Sequence, residues 1–365
     1  MRSRVLASIV AMALLVAACG DSDESDDSSA SASSSASASA SSSASASASS
    51  SAPAETTETT TAAADEDDAG AAAVTVSVTD VVGDKEVPVT AEGIFALDEL
   101  MGTLLLTLGV TPQTAAAFFE DPLLAPILEA NTELVPAGSI EAVAATDPSL
   151  ILGIGHPNSI EIHDEYAGIA PIVLPDFTAS WQDQTRLVAQ VVGREADADA
   201  VISVVEARIE SLATEIEEAG LAGQQISIMQ NFAGDYFAYG PTTISGSVVA
   251  DLGFVRSEAQ SGADNFGFLP ISAELVPSET DVPIVVGIVA LDGVDVLSIF
   301  DDDLVNTDDK VAADVGDAWF NNTALGAWIV MDDIEAMLFG RGEIADVTDA
   351  AERFDDLLAA IGSGG

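Results

Sequence analysis

The sequence predicts an α/β protein in which two Rossmann-like lobes are joined by one long α-helix, with a ligand cleft between the lobes. Apolar strand candidates alternate with helical stretches twice along the chain, which is typical of parallel sheets flanked by helices. Between these two runs, residues 184–220 indicate one hinge helix, because Val201, Val205, Ile209 and Leu212 recur on one face at 3.6-residue spacing. Ligands of such sheets bind beyond the carboxyl ends of the strands.

Residues 1–18 have the features of a lipoprotein signal peptide. Arg2 and Arg4 precede an apolar run, residues 5–16, that is too short to span a membrane. The segment Val16-Ala17-Ala18-Cys19 is similar to a bacterial lipobox, in which the cysteine is acylated and becomes the first mature residue. We therefore expect an extracytoplasmic protein that is lipid-anchored to the cell membrane through Cys19. An ordinary signal peptide with a chance cysteine is the alternative.

Residues 19–73 predict a lipid-anchored, disordered linker. Ser28 to Ala52 contains only Ser and Ala, and the flanking stretches add Thr and acidic residues. Such a segment has too little apolar surface to offset its ordering entropy. As a flexible coil it would span roughly 40 Å, which is enough to let a folded domain search the nearby membrane surface.

The charge of the chain excludes nucleic acid as a partner. The 365 residues include 61 acidic and ten basic residues, a net charge of −51. Eleven acidic and two basic residues precede Val74, so the remainder keeps 50 acidic and eight basic residues, a net charge of −42. This excess excludes nucleic acid, since neutralising phosphates needs clustered Lys and Arg. An acidic surface adapted to salty surroundings explains the excess without a site.

The N-terminal lobe is predicted at residues 74–183. It opens with two short strands around the turn Gly83-Asp84-Lys85. Buried strands are then predicted at residues 92–97, 149–155 and 172–174, and helices at residues 100–108 and 140–146. The C-terminal lobe, residues 221–365, repeats the alternation with strands at residues 225–229 and 282–289 and helices at residues 247–252 and 349–361.

Several stretches, in this order, resemble the cobalamin- and ferric-siderophore-type (class III) substrate-binding lipoproteins of ABC importers. The similar segments are residues 94–110, 139–153, 166–173, 239–241, 252–254 and 271–275. Ser149 stands where that family usually has Asp. The resemblance covers about residues 74–361 and implies a monomeric solute-binding protein without enzymatic activity or cofactor. Its partners would be a ligand and an ABC permease with its ATPase.

The resemblance implies an iron complex, a ferric siderophore, as the ligand. Tricatecholate complexes carry about three negative charges and need clustered Arg or Lys. With eight bases after Val74, and only Arg256 following a strand–helix unit of the C-terminal lobe, a neutral or cationic hydroxamate complex fits better. Cobalamin and haem are the alternatives within the same fold.

Residues near the predicted strand ends are the candidates for ligand contact. His156 and Asn158 follow the second buried strand of the N-terminal lobe, and Asp98 follows the first. Flat aromatic side chains bury apolar area at a small entropy cost, and Tyr or Trp adds a hydrogen bond. Such residues cluster after strands, and core filling is the alternative for them. The aromatic and basic candidates are Trp181, Phe232, Tyr236, Tyr239 and Arg256.

Two acidic residues are candidates for permease docking. In the family, one acidic residue at the tip of each lobe pairs with permease arginines, and by resemblance these are Glu141 and Glu274. Each lies near the start of a short helix that leads into a buried strand. Favourable interaction with a helix dipole is the alternative role of both carboxylates.

Enzyme and metal motifs are not found. The sequence lacks G-x-S-x-G, H-E-x-x-H and P-loop spacings, and Gly153-Ile154-Gly155 has Asn158 where a dinucleotide fingerprint has its third glycine. His156 and His163 are the only histidines. With the carboxylate of Asp164, Glu165 or Asp176 they would be chemically adequate for zinc, which is the alternative, but no third histidine exists and no metal site is predicted. An anchored extracellular hydrolase is the alternative from a different functional class.

Overall fold

A computed structural model describes residues 74–118, 121–262, 267–289, 296–301, 303–345 and 349–363. These residues belong to one unit, Ala69–Gly365. The predicted signal peptide, the acylated Cys19 and the linker lie outside the described residues. None of the described helices is both long enough and apolar enough to cross a membrane.

The chain first forms the predicted antiparallel hairpin, which consists of β1 (Thr75–Asp80) and β2 (Gly83–Pro88). Asp80 fastens this hairpin to the rest of the lobe. Its buried carboxylate lies 2.7 Å from Lys85 Nζ and accepts a 2.8 Å hydrogen bond from the Leu174 backbone N–H. The tip of the hairpin therefore lies beside the end of the last strand of the N-terminal lobe.

The N-terminal lobe contains a fully parallel five-stranded sheet of order β5-β4-β3-β6-β7. This order has the Rossmann pattern, with its topological switch point between β3 and β6. The strands are β3 (Ile94–Ala96), β4 (Thr114–Ala117), β5 (Glu133–Pro136), β6 (Leu150–Leu152) and β7 (Ile172–Val173). The helices are α1 (Glu99–Thr107), α2 (Ala125–Glu129), α3 (Ile140–Ala145), α4 (Pro157–Glu161) and α5 (His163–Ala167).

The connection between the lobes differs from the single helix predicted at residues 184–220. It consists of α6 (Trp181–Val192) and the 24-residue connecting helix α7 (Glu195–Glu218). Gly193 separates them because its φ of +66° is left-handed, a conformation that ends helices and that glycine adopts without strain. The buried face of α7 has the predicted 3.6-residue periodicity and includes Val201, Val205, Ile209 and Leu212.

The C-terminal lobe contains a mixed sheet of order β10-β9-β8-β11-β13, and β12 pairs with the end of β8. Its strands are β8 (Ile226–Phe232), β9 (Asp235–Tyr239), β10 (Phe268–Ile271), β11 (Ile284–Ile288), β12 (Val296–Leu297) and β13 (Val311–Val315). Its helices are α8 (Ile244–Asp251), α9 (Val276–Glu279), α10 (Ala324–Phe339) and α11 (Ala350–Ser363). Short 3-10 helices cover Ile299–Asp301 and Asp317–Trp319.

One apolar core extends through the N-terminal lobe, the connecting helix and the C-terminal lobe. Trp319 belongs to this core, is fully buried and donates from Nε1 to the Asp333 carboxylate at 2.7 Å. Helix α11 also packs on α2 of the N-terminal lobe. The two lobes therefore share packed elements as well as the covalent connection.

Candidate functional site

The strand ends of the two lobes meet at a segment of three residues, Phe320 to Asn322, which follows β13. The Phe320 ring contacts the Phe177 ring edge-on, with 5.8 Å between the ring centroids. Asn322 donates from Nδ2 to the Ala179 carbonyl at 2.8 Å, and Asn321 donates from Nδ2 to the Asp121 carboxylate at 3.3 Å. These contacts join the C-terminal lobe to loops that follow β4 and β7, so the strand ends of the two lobes pack against each other here.

A row of aromatic rings crosses this boundary, and we call it the aromatic strip. From the N-terminal lobe outward it consists of His156, Phe177, Phe320, Phe268 and Tyr239, with 5.2–6.0 Å between neighbouring centroids. Phe320 and Phe268 are half-buried, whereas the other three members are buried. Phe177 and Tyr239 belong to the apolar core, so the ring surface that the strip offers to a ligand is that of Phe320 and Phe268 of the C-terminal lobe.

His156 occupies the N-terminal-lobe end of the strip. It caps α4, and its Nδ1 accepts a 3.4 Å hydrogen bond from the Asn158 backbone N–H. Burial lowers the pKa of His156, so the imidazole is neutral at pH 7. The side chain of Asn158 is exposed at the start of the same helix. Both residues lie at the strand ends, as the sequence predicts, and their contact with a ligand remains a prediction.

Asp98 holds the backbone next to His156. One carboxylate oxygen accepts from the Met101 N–H at 2.7 Å and caps α1, and the other accepts from the Ile154 N–H at 2.8 Å. The side chain is buried, and desolvation raises the pKa of Asp98 to about 7 despite these hydrogen bonds. Asp98 thus ties the end of β3 to the end of β6, and this geometry favours a positioning role over direct ligand contact.

Two of the aromatic candidates lie in the core. Trp181 is 3% exposed at the first position of α6, where its ring packs into the main core. Tyr236 is 7% exposed and packs in a cluster with Met229, Leu269 and Val276. The predicted loop around these tyrosines is a β-hairpin with the turn Ala233-Gly234, because Tyr236 pairs with Asn231 across the two strands.

The remaining aromatic candidates lie closer to the strand ends. Phe232 is half-buried at the end of β8, opposite Val296 of β12. Tyr239 is buried, donates from its hydroxyl to Gln230 at 3.1 Å and belongs to the aromatic strip. Burial raises the pKa of Tyr239, with a smaller contribution from Asp317, so its hydroxyl remains protonated.

Arg256 belongs to a polar network at the edge of the C-terminal sheet. Its Nη2 donates to the Tyr239 carbonyl and, at 3.1 Å, to Gln260 Oε1. Gln260 in turn donates to Glu279 at 3.1 Å. Burial lowers the pKa of Arg256 to about 10, and the charge of Glu279 opposes this shift. The network satisfies Nη2 of Arg256, whereas its buried Nε and Nη1 have no hydrogen-bond partner among the described residues.

Glu141 and Glu274 are both exposed and both follow strand ends. Glu141 lies in the first turn of α3, after Ser139 caps that helix. Glu274 follows β10, and hydrogen bonds from its own backbone N–H and from Ser272 lower its pKa. Both residues thus follow an edge strand of their lobe, although only Glu141 lies within a helix, and docking through them remains a prediction.

Sequence reasoning missed Phe177, Phe320, Asn321 and Asn322. Phe177 follows the predicted third strand by three residues and could have been selected by the strand-end rule. The other three follow β13, a strand that the sequence analysis did not predict. Within the described residues, no group of three or more His, Cys, Asp or Glu side chains is arranged to hold a metal ion.

Residues 128–287 match the family described as periplasmic binding protein. This match begins in α2, passes through the connecting helix and ends in β11, so it includes parts of both lobes. The predicted resemblance is confirmed: the fold is that of class III substrate-binding proteins. The family match also indicates an extracytoplasmic location. No curated protein matches the chain.

Solved structures support the same fold. The FhuD protein from S. pseudintermedius has a TM-score of 0.62 at 16% identity, with 73% of this chain and 98% of that chain covered. A Bacillus subtilis FhuD fold-family protein, described as a component of a Fep/Fec-like ferrichrome ABC transporter, has a TM-score of 0.61 at 18% identity, with 72% and 99% covered. The catecholate-siderophore binding protein VctP from Vibrio cholerae has a TM-score of 0.56 at 17% identity, with 80% and 100% covered.

Proposed function

We propose that this protein is a lipid-tethered extracytoplasmic binding protein that captures a ferric siderophore and delivers it to an ABC importer. The observation that carries the proposal is the aromatic strip at the meeting point of two lobes that have the class III fold. The similar structures are described as siderophore-binding proteins, which supports the ligand class. Acylation of Cys19 would anchor the protein to the membrane, and the linker after it would let the folded domain move to the permease.

The charges of the domain favour a neutral or cationic complex, as hydroxamate siderophores provide. Seven of the eight Lys and Arg residues after Val74 form ion pairs with Asp or Glu, and none of these pairs includes a member of the aromatic strip. The eighth, Arg256, is half-buried in the network with Gln260, near Glu279. A ligand with three negative charges would therefore find only Arg256 outside an ion pair among the described residues, and it would meet a protein of the same charge sign.

A titration series tests this proposal. The purified domain, residues 69–365, is titrated with ferrioxamine B, ferric enterobactin, cobalamin and haem while Trp and Tyr fluorescence is recorded. We expect saturable binding of the cationic ferrioxamine B and at least a hundredfold weaker binding of the trianionic ferric enterobactin. Asn158→Arg is the matched charge variant, because it adds one exposed base at the strand ends, and it should improve enterobactin binding.

The outcomes separate the alternatives. If the domain bound cobalamin or haem preferentially, that compound would be the ligand instead of a siderophore, and the assignment of the fold would be unaffected. Tight binding of ferric enterobactin would contradict the argument from the paired bases. Binding of none of the four would contradict the proposed ligand class altogether.

We also propose that Glu141 and Glu274 pair with arginines of the permease. Their exposure and their placement after edge strands support this role. The double variant Glu141→Ala with Glu274→Ala should abolish uptake by whole cells and leave ligand affinity unchanged, since neither residue belongs to the aromatic strip. The variant Glu133→Ala with Glu258→Ala, which removes two other exposed carboxylates, is the control for net charge. Normal uptake by the first variant would restrict both residues to a local structural role.

A further inference from the structure

The face of the C-terminal sheet beside the aromatic strip carries the amide side chain of Gln230. In the antiparallel register, Gln230 of β8 lies opposite Phe237 of β9, which lies opposite Pro270 of β10. Tyr239, two residues after Phe237, pairs with Phe268. Residues that are opposite each other, or two apart on one strand, point to the same face. Gln230 therefore shares its face of the sheet with two members of the strip.

This face is covered at one end and open at the other. Ile228, two residues before Gln230 on β8, is fully buried in the main core. Gln230, Phe237 and Phe268 are only half-buried. The Phe320 ring, also half-buried, lies against Phe268 with 5.2 Å between the ring centroids. The ring surface that the strip offers to a ligand thus continues onto the Gln230 side chain.

The Tyr239 hydroxyl fixes the orientation of the Gln230 amide. The tyrosine is 2% exposed, and its hydroxyl donates to Gln230 Oε1 at 3.1 Å. Burial raises the pKa of Tyr239, so the hydroxyl keeps its proton and needs an acceptor. Among the described residues, Gln230 Oε1 is the only hydrogen-bond partner of this hydroxyl. The amide therefore presents Oε1 to Tyr239 and directs Nε2 away from it.

The other half of the amide group, Nε2, is left for a ligand. In the part of the chain that the structure describes, its two N–H groups have no acceptor. Nε2 is also not one of the buried nitrogens without a partner, which distinguishes it from Arg256 Nε and Nη1, so it is open to solvent. A donor that water reaches beside an apolar ring surface loses little when a ligand oxygen replaces that water. Gln230 can therefore bind an acceptor without rearrangement of the protein.

The groups around the amide favour a ligand without negative charge. Asp317 is close enough to the Tyr239 hydroxyl to raise its pKa further. Arg256 donates to the Tyr239 carbonyl, but the nearby Glu279 carboxylate offsets its charge. The Gln230 amide is itself uncharged, so it recognises an oxygen atom without neutralising a negative ligand. The oxygens of a neutral or cationic ferric hydroxamate complex are acceptors of this kind.

We propose that Gln230 is a specificity-determining residue: its Nε2 donates to an oxygen of a hydroxamate complex that lies on the Phe268 and Phe320 rings. This inference rests on the proposed function and names the group that recognises the ligand within it. Tyr239 is a positioning residue, because its hydroxyl holds the amide in the orientation that presents Nε2. An uncharged donor at this place selects neutral and cationic complexes over trianionic ones.

Gln230→Glu tests the donor. The variant has nearly the same shape and still accepts from the Tyr239 hydroxyl, but a carboxylate oxygen replaces Nε2. Ferrioxamine B, a cation, and its neutral N-acetyl derivative are titrated against the domain of residues 69–365. We expect the variant to bind the neutral complex about tenfold more weakly, because two acceptors would face each other, and to bind the cation more weakly as well. Gln190→Glu, at an exposed position of α6, is the control for charge and should change neither affinity.

The opposite pattern would overturn the proposal. If Nε2 does not contact the ligand, Gln230→Glu adds only a distant negative charge, so it would bind the neutral complex normally and the cation more tightly. Normal affinity for the neutral complex is therefore the decisive contrary result.

A double-variant cycle tests the role of Tyr239. Gln230→Leu removes the donor and should weaken the binding of both complexes by about threefold to tenfold, the loss expected for one hydrogen bond. Tyr239→Phe keeps the ring but frees the amide to rotate, so we expect a smaller loss, of about threefold. The double variant should lose no more than Gln230→Leu alone, because the hydroxyl acts only through the amide. Additive losses would contradict the positioning role.

A probe without iron separates this inference from the proposed function. Benzohydroxamic acid offers one ring and one hydroxamate group, and its titration is followed by NMR of the Gln230 side-chain amide in the wild-type domain, with Gln230→Glu to assign the signal. We expect a saturable shift of this signal in the millimolar range. If the probe shifts it while neither ferrioxamine binds, the siderophore assignment is wrong and Gln230 stands as the donor to a hydroxamate group. If the ferrioxamines bind but neither the variants nor the probe show an effect at Gln230, the proposed function stands and this inference is wrong.

Discussion

The two lobes share one architecture but use their strand ends differently. In the N-terminal lobe all five strands are parallel, so every strand ends at the cleft side and His156 and Phe177 follow strand ends there. In the C-terminal lobe β9 runs antiparallel between β8 and β10, and Tyr236 of this hairpin points into the core instead. Residues that follow parallel strands lie at the carboxyl edge of the sheet, where a ligand site forms. In a hairpin the residues after the first strand pair with that strand and stay within the sheet.

The lobes also differ in how they hold the connecting helix. On the C-terminal side, Arg208 of α7 pairs with Asp332 and Glu335 of α10 and lies over the Trp328 ring at 4.1 Å. On the N-terminal side, α6 packs on α7, and the left-handed Gly193 separates the two helices. The connecting helix is thus fastened to the C-terminal lobe by charges and joined to the N-terminal lobe through a glycine turn.

The largest expected effect separates core aromatics from site aromatics. Tyr236→Ala empties a buried site and should lower the free energy of unfolding by about 3–5 kcal/mol. Phe320→Ala removes a half-buried ring of the aromatic strip and should instead weaken siderophore binding by about 1–3 kcal/mol. Denaturant unfolding and fluorescence titration of both variants check this. The assignment of the strip as the site would fail if Phe320→Ala bound ligand normally.

The fold was largely predictable because its strands and helices carry local signals. The buried strands at Ile94–Ala96 and Leu150–Leu152 lie within the predicted segments, since each is a short apolar run next to turn residues. Helix α10 was not predicted because nearly all its faces are apolar, so it has no amphipathic period. Its signals were the cap Thr323 and the terminating Gly340, which the structure shows to be left-handed.

The break at Gly193 was missed for a related reason. The apolar positions of α6 and α7 face the same core, so their periodicity continues across the junction, and a single glycine without a proline is a weak stop signal.

The site was less predictable than the fold because its contacts are long-range. Phe177 and Phe320 come into contact only when both lobes have folded, because they lie far apart in the sequence. The local sequence around one of them therefore does not indicate that the other is its neighbour. Trp181 illustrates the opposite error. It follows a strand, as cleft residues do, but it begins α6, whose first turn directs the ring into the core. Sequence position thus selects candidates, and only packing separates the contact residues from the core.

Each lobe buries one carboxyl whose ionisation should control stability. Burial raises the pKa of Asp98 in the N-terminal lobe and of Asp333 in the C-terminal lobe to about 7 each. Both are harder to ionise in the folded chain than in the unfolded chain, so between about pH 4 and 7 the folded state binds more protons. Stability should therefore rise as the pH falls from 7.5 to 5, by up to about 3 kcal/mol for each group.

Asp98→Asn and Asp333→Asn test the two carboxyls separately, when the unfolding free energy of each variant is measured with urea at several pH values. Each should reduce the slope of unfolding free energy between pH 5 and 7 by up to about 1.4 kcal/mol per pH unit. The net charge of −42 after Val74 also favours mild acid, but it is nearly the same in both variants and in the wild type. If one variant keeps the wild-type slope, that carboxyl is ionised across this range, and the two lobes differ in this respect as well.

The smallest effect tests how the connecting helix is fastened. Arg208 and its partners Asp332 and Glu335 are largely shielded, with side-chain exposures of 19%, 14% and 24%. Arg208→Ala leaves these carboxylates with Arg353 and Arg341 as their remaining partners and removes the cation–π contact. We expect a loss of about 2 kcal/mol in unfolding free energy. Arg186→Ala is the matched control in α6, because its pair with Asp183 is exposed and should contribute less than about 0.5 kcal/mol. If both variants lost the same unfolding free energy, the ion pairs of Arg208 would not hold the connecting helix more strongly than the exposed pair of Arg186 holds α6.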